Sequence, residues 1–354
     1  MNKKRWKQAG AAVFMTILLM TGCFLSSSSE NRGEEESGET EFFAMNTYLT
    51  FQAYGEAGTI GNALKEAQER VEELEKKWSV TDPDSEIYKL NHSKERSTVL
   101  SDDTAEVIRF ALSMAEETGG RLDPTLYPVL RAWGFTTEDN RIPGQEELSE
   151  LLEKTGYEKI SMEGNRLTIP EGMEIDLGAV GKGYAGDEAA EVLKKYGIAS
   201  ALLNLGGNVQ AVGSRPDGRD WRLGIRSPFG EGNLGVLEVS DKAVVTSGNY
   251  ERYFVGEDGR TYGHIMNPDT GCPVDNDLIS MTIITDEGKC GDALSTSLFV
   301  MGLSEAEKFW RAHQDFEMLA VTETGEIYLT EGIENSFSLE TSFQKMKIHV
   351  IEES

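Results

Sequence analysis

From Ile60 to Trp78 apolar residues return every three or four positions among charged ones, the spacing of a helix with one buried face. Asp102 to Glu117 repeats the pattern and is stopped by Gly119-Gly120. Gln145 to Thr155, Tyr184 to Tyr196 (ended by Gly197) and Ser304 to His313 read as further helices, and another is expected to start at Asp292 and run to Gly302. Period-two alternation marks Phe42 to Tyr54 as an opening strand. Ile160 to Ile169 reads as a hairpin arm, and Ala201 to Val212 as a strand interrupted by Gly206-Gly207. Trp221 to Ile225, Leu234 to Val239, Ala243 to Thr246, Leu278 to Thr285 and Phe316 to Leu329 supply the remaining strands. Thr81-Asp-Pro-Asp-Ser-Glu86 is a turn with a helix cap, whereas Arg121 to Phe135, rich in Pro, Gly and aromatics, has no regular amphipathic period. Strands come in runs and helices in pairs, which predicts an α+β fold rather than a regular βαβ succession.

One stretch departs from plain packing patterns. Ile175-Asp-Leu-Gly-Ala-Val-Gly-Lys-Gly-Tyr-Ala185 reads as a short apolar strand, a glycine-rich turn and a helix from about Tyr184. Gly178, Gly181 and Gly183 let backbone approach a ligand, the helix start offers free N–H groups and a positive dipole end to an anion, and Lys182 adds a mobile charge. The same pattern also serves as a simple strand-to-helix connection.

At 354 residues the chain can bury a large core, as one large domain or two closely packed lobes. Its 61 acidic against 34 basic residues, a net charge of −27, argue against nucleic acid as a partner. A phosphorylated ligand would need a local positive centre: a helix N-terminus, Lys182 or a divalent cation. The first residues read as an export signal, with Lys3, Lys4, Arg5 and Lys7 before an apolar run from Ala9 to Met20 that is short for a membrane span. Met20-Thr21-Gly22-Cys23 resembles a bacterial lipobox, so residues 1–22 are expected to be a lipoprotein signal and Cys23 the lipid-bearing residue. An ordinary secreted protein is the other reading. Residues 23–41, with Ser26 to Ser29 and an acidic run, are expected to form a flexible tether on the extracytoplasmic face of the cell membrane. Residues 42–340 would be the folded domain and 341–354 a C-terminal tail. Cys272 and Cys290 allow one disulfide or none.

Asp292 and Thr296 stand one helical turn apart, so a hard cation would meet both oxygens, with Mg²⁺ the ion such a sparse set suits. An N-cap with a Thr bonding back to the turn explains the pair equally. His264, between a probable strand and the Asn267-Pro268 turn, has the chemistry of a general base or of a structural histidine. Ser247 to Arg252 offers hydroxyls and a guanidinium to a phosphate. Asp123-Pro-Thr and Trp133-Gly-Phe135 provide a carboxylate and aromatic surface for a planar ring, or a loop anchored into the core. A Gly-x-Ser-x-Gly elbow, a His-Glu-x-x-His pair, a Walker A loop and a Cys-x-x-Cys pair are all absent from the sequence.

Together the ordered motifs resemble the ApbE family, the bacterial FAD:protein FMN transferases. They are Met45-Asn-Thr47, Asp123-Pro-Thr125 with Trp133-Gly-Phe135, Ile175 to Ala185, Leu205-Gly-Gly207, Thr246-Ser-Gly-Asn-Tyr250, Gly263-His264 with Asn267 to Gly271, and Asp292-Ala-Leu-Ser-Thr296. The resemblance spans about residues 43 to 335. It implies a two-lobed, T-fold-related α+β architecture, with mixed or antiparallel sheets flanked by helices and the FAD site between lobes. It also implies that Mg²⁺ is held by Asp292, Thr296 and the main-chain carbonyl of Ala179. Met45, Thr81, Arg121, Leu122, Asp123, Asp176, Lys182 and Met266 would then line the FAD site. Asn46 stands where Gly is common, Thr81 where an aromatic is frequent and Asn267 where Asp is frequent.

The implied reaction passes the FMN part of FAD to a Thr or Ser hydroxyl of a second protein and releases AMP, with His264 as first candidate base and Asp292 as the next. The acceptor would be a redox subunit of the Rnf, Nqr or fumarate-reductase kind. An FAD pyrophosphatase giving FMN and AMP, or a flavin-binding lipoprotein without chemistry, are the competing expectations.

Overall fold

The computed structural model describes residues 35–353 apart from Glu138. The chain begins with a hairpin of β1 (Glu35–Ala44) and β2 (Thr47–Glu56), then α1 (Ile60–Trp78), α2 (Glu86–His92), β3 (Ser97–Val99) and α3 (Asp102–Glu117). Next come α4 (Tyr127–Trp133), α5 (Gln145–Leu152), β4 (Ser161–Glu163), β5 (Arg166–Thr168) and α6 (Gly181–Lys195). β6 (Ser200–Asn204), β7 (Asn208–Val212), β8 (Trp221–Arg226), β9 (Asn233–Val239), β10 (Ala243–Gly248), β11 (Tyr253–Val255), β12 (Thr261–Gly263) and β13 (Leu278–Thr285) follow. The chain finishes with α7 (Gly288–Met301), α8 (Leu303–His313), β14 (Glu317–Thr322), β15 (Ile327–Thr330), β16 (Phe337–Leu339) and β17 (Ile348–Ile351).

Nine strands form one sheet in the order β1-β2-β6-β7-β10-β13-β14-β15-β17, in which only β15 and β17 run parallel. Both faces are covered, and the alternation along each strand shows how. Leu203, Met281, Ile283, Met318 and Ala320 enter the core shared with α1, α6 and α7. Their neighbours Val209, Ala211, Val244, Ile284, Leu319 and Val321 face the three-stranded sheet β16-β9-β8 and pack on Trp221, Leu223 and Leu237. A third cluster joins Val129 and Trp133 of α4, Leu148 of α5 and Met266. The architecture is mixed α+β, and residues 35–353 cluster as one unit rather than two separable lobes.

Local chemistry explains the elements. α1 buries Ile60, Ala63, Leu64, Ala67, Val71, Leu74 and Trp78, one stripe at three-four spacing. Ser85 caps α2 by accepting the Tyr88 N–H at 2.9 Å. Arg121 to Phe135, irregular in sequence, contains the short α4, closed by Gly134 at φ 85°.

Three expectations are corrected. The strand begins at Glu35 and pairs without a break from Glu35↔Glu56 to Ala44↔Thr47, so residues 35–41 belong to the sheet rather than to a tether. The tail carries β17, which pairs with β15 from Ile348 to Ile351. Residues 173–177 form no strand; Ile175 is instead fixed by Asn91, whose amide meets both its N–H and its carbonyl at 2.7 and 2.8 Å. Residues 1–22 and Cys23, with the expected signal and lipid, lie outside the described residues.

Candidate active site

Two helices cross where backbone touches backbone. A side chain at Gly183 of α6 would place its Cβ 2.1 Å from the Gly288 carbonyl oxygen of α7, so only glycine fits. Each helix then supplies the other's missing cap. Asp292, on α7, accepts the Gly183 N–H at 2.9 Å, and Asp187, on α6, accepts the N–H groups of Gly288 and Lys289 at 2.7 and 2.9 Å. Gln210 of β7 closes the crossing by donating to the Gly183 carbonyl at 3.2 Å and to Asp187 at 3.0 Å. Burial raises the Asp187 pKa to about 6, against the pull of the two N–H groups.

This arrangement corrects both helix starts. α7 begins at Gly288 and α6 at Gly181, so Asp292 lies inside its helix and caps a different one. Gly183 lies in the first turn of α6, where N–H groups have no partner within the helix, and Asp292 satisfies this one from α7; Ala179 sits in the turn just before that helix start. Thr296 follows one turn after Asp292, half-buried, with its hydroxyl 3.3 Å from Ser247 Oγ, which also meets Ser295 Oγ at 2.9 Å. Lys182 Nζ stands 3.8 Å from the other Asp292 oxygen.

The candidate donor set is the buried Asp292 carboxylate, the half-buried Thr296 hydroxyl and the Ala179 carbonyl that the resemblance implies. No group of three His, Cys, Asp or Glu residues able to hold a metal occurs among the described residues. Such hard, sparse oxygen donors fit Mg²⁺, which keeps waters and takes further oxygens from substrate phosphates, and do not fit zinc.

Charged groups gather around this point. Asp176 takes the Gly178 N–H in a short bond and donates its own N–H to Pro124 at 2.8 Å; burial raises its carboxyl, while Gly178, Arg252 and Lys182 oppose the rise. Glu251 closes against Gly207, and the protein around it raises its pKa to about 7 although solvent reaches the side chain; Lys182, Arg226 and Arg252 oppose this, and Asp292 adds to it. His264 is half-buried, with Nδ1 3.2 Å from the Arg252 carbonyl. Burial first, then Arg252 and Lys182, push its pKa down to about 4, so the ring is neutral and Nε2 is left as the acceptor when Nδ1 carries the proton.

Other expected site residues surround the crossing at different distances. Met45 and Asn46, at φ 50° and 59°, form the two-residue turn of the first hairpin, which explains how Asn serves where Gly is common. The Met45 N–H is held by Glu75 at 2.7 Å. Arg121 pairs with Asp269, which ties its loop to the turn after Met266. Leu122 and Met266 are buried. Asp123 is occupied within its own loop, accepting from Thr125 N–H and hydroxyl at 2.8 and 2.6 Å and from the Tyr157 N–H at 3.3 Å.

Trp133 is buried against Tyr262 and bonds the Gly271 carbonyl at 2.8 Å, so it anchors the loop rather than offering a ring platform; Phe135 meets the edge of His264. Thr81 lies exposed in the turn after α1, paired with Ser79 at 3.2 Å. Cys272 and Cys290 are free thiols. Sequence reasoning missed Asp187, Gln210 and Glu251. The signal for Gln210 was present, as a polar residue flanked by Val209 and Ala211 in β7.

Fold and site together define a mixed α+β protein whose candidate site lies at a crossing of two helices. Residues 45–320 match the model of the ApbE family, and the chain belongs to that family. Among curated proteins, the FAD:protein FMN transferase of Vibrio cholerae is 32% identical over 297 residues, covering 81% of this chain and 86% of that protein. The Treponema pallidum protein of the same name is 31% identical, covering 78% and 82%. Among solved structures, the ApbE protein of Thermotoga maritima superposes with a TM-score of 0.80 at 32% identity, over 85% of this chain and 99% of that one. The flavin transferase ApbE of Vibrio cholerae gives 0.75 at 28% identity, over 88% and 99%.

Proposed function

We propose that this chain is an FAD:protein FMN transferase that uses Mg²⁺ to pass the FMN part of FAD to a Thr or Ser hydroxyl of a redox protein. The carrying observation is that Asp292, buried beside Lys182 and one turn before Thr296, is fixed by the Gly183 N–H against the glycine turn that contains Ala179. Asp292, Thr296 and Ala179 would hold Mg²⁺, which when bound offsets the charge of the diphosphate and of the departing AMP.

The remaining steps belong to the chain's own residues. Lys182 and Arg252 bring positive charge to the diphosphate. The acceptor hydroxyl oxygen forms a bond to the flavin-side phosphorus, the bond from that phosphorus to the bridging oxygen breaks, and AMP carries that oxygen away. The hydroxyl proton goes to Nε2 of His264. The two cations that depress the His264 pKa are those a bound diphosphate neutralises, so substrate binding itself raises the base toward its working range. Asp292, tied to Gly183 and beside Lys182, is better suited to holding the ion than to taking the proton.

Met45, Thr81, Arg121, Leu122, Asp123, Asp176 and Met266 are proposed to border the flavin and its ribityl arm. The lipobox-like Met20 to Cys23 supports anchoring at the extracytoplasmic membrane face, with an acceptor of the Rnf, Nqr or fumarate-reductase kind. No helix among the described residues is long and apolar enough to cross a membrane.

The test is one incubation of FAD, Mg²⁺ and a Thr-bearing subunit from such a complex, read by in-gel flavin fluorescence and chromatography, with an excess-EDTA arm. Covalent flavin with AMP, lost on chelation, is expected. Free FMN with AMP, unchanged FAD, or transfer that survives EDTA would each refute the assignment.

A further inference from the structure

All five residues of β7 are buried, and they alternate between two environments. Val209 and Ala211 pack toward β8 and β9. Gln210 projects the other way, to α6, where both its bonds are made. Asn208 shares the Gln210 face by the period of the strand. It is 0% exposed, and neither its Nδ2 nor its Oδ1 has a hydrogen-bond partner.

Its place is defined by register. Asn208 follows the Gly206-Gly207 turn and lies opposite Val245 of β10. The Val245 side chain is pressed against Gly291 of α7, 2.7 Å from where a Cβ there would lie, and the next residue is Asp292. The orphan amide is therefore one pleat from the Gln210 clamp on Gly183, on the side of the Gly207–Glu251 contact.

A buried amide with both ends unpaired opposes folding, and an apolar residue of the same shape would remove that cost. Such a group is retained where a ligand completes it. We infer that Asn208 is a binding residue for the hydrated Mg²⁺–diphosphate assembly, its Nδ2 donating to a phosphate oxygen and its Oδ1 accepting from a water of the ion. This assignment rests on the proposed transferase reading and adds a recognition group to the same site.

The experiment compares wild type, Asn208→Leu and Asn208→Asp, by thermal unfolding without ligands and by FAD titration with and without Mg²⁺. Asn208→Leu is expected to unfold at the wild-type temperature or above, while its affinity for FAD with Mg²⁺ falls about tenfold, the loss of one charge-assisted bond. Asn208→Asp keeps the shape and the acceptor but places a carboxylate against the phosphates, so FAD affinity falls at least as far. Unchanged FAD affinity in either variant overturns the inference. So does a lower unfolding temperature for Asn208→Leu, because it would show the amide already satisfied in the free protein. Wild type that binds no FAD with Mg²⁺ would instead sink the transferase reading itself.

Discussion

Gly183→Ala probes the helix crossing most directly. The new Cβ would lie 2.1 Å from the Gly288 carbonyl oxygen, 2.5 Å from its carbon and 2.7 Å from Lys289 Cα, all backbone atoms that cannot rotate aside. Relief requires α6 and α7 to part by about 1 Å. Overpacking of this kind costs about 1–3 kcal/mol, offset by roughly 1 kcal/mol of better helix propensity for alanine. The larger effect is geometric, because the same shift stretches the 2.9 Å Gly183–Asp292 bond and moves the Asp292 carboxylate away from the glycine turn. A misplacement of about 1 Å at reacting groups costs on the order of 100-fold in rate. Urea unfolding and initial rates of covalent flavin transfer at saturating FAD and Mg²⁺ read the two effects separately. Gly61→Ala, in α1 with nothing within 4 Å of the added carbon, is the control and should stabilise by about 0.5–1 kcal/mol without touching the rate. Gly183→Ala that matches this control in both stability and rate would refute the account of the crossing.

His264→Ala should slow transfer by about 10²–10⁴-fold while FAD affinity stays within about twofold; normal turnover would remove His264 from the chemistry. The same residue leaves a mark on acid stability. Its pKa is about 4 in the fold against an ordinary 6.5, so the unfolded chain binds an extra proton between these values. Its contribution is full above pH 6.5 and is lost as the pH falls toward 4, so His264→Gln should flatten that limb, as urea titrations at pH 4.5 and 7.5 would show. Asp187→Ala, which strips two N–H bonds from the start of α7, should cost about 1–2 kcal/mol, with Asp187→Asn recovering only part of it because one amide oxygen replaces two carboxylate oxygens; equal losses in urea unfolding would argue against capping.

Strong periodicity was legible. The helices at Ile60–Trp78 and Asp102–Glu117 and the strand Leu278–Thr285 lie where their patterns place them, because each buries a regular stripe or face. The starts of α6 and α7 were read three and four residues late, for one physical reason. Neither Val180 nor Glu287 makes a side-chain cap, and the actual caps come from Asp292 and Asp187 on the opposite helix. A local signal cannot report a tertiary cap. The candidate cation donors were proposed by motif, whereas the Gly183–Asp292 bond that ties their two segments together became visible only in the structure. Aromatic residues misled for the converse reason, since Trp133 is equally suited to a pocket wall and to a core.

The nine-stranded sheet is not closed, and one of its free borders is β1. A long unpaired border is a template on which a second molecule can add a strand, the first step of sheet growth between chains. Here the border carries exposed Glu36, Glu39 and Glu41 along ten residues of regular pairing geometry. A copy presenting the same strand would bring further carboxylates close to these, and their repulsion opposes the pairing. The carboxylates built into β1 thus oppose edge-to-edge pairing between copies of the chain.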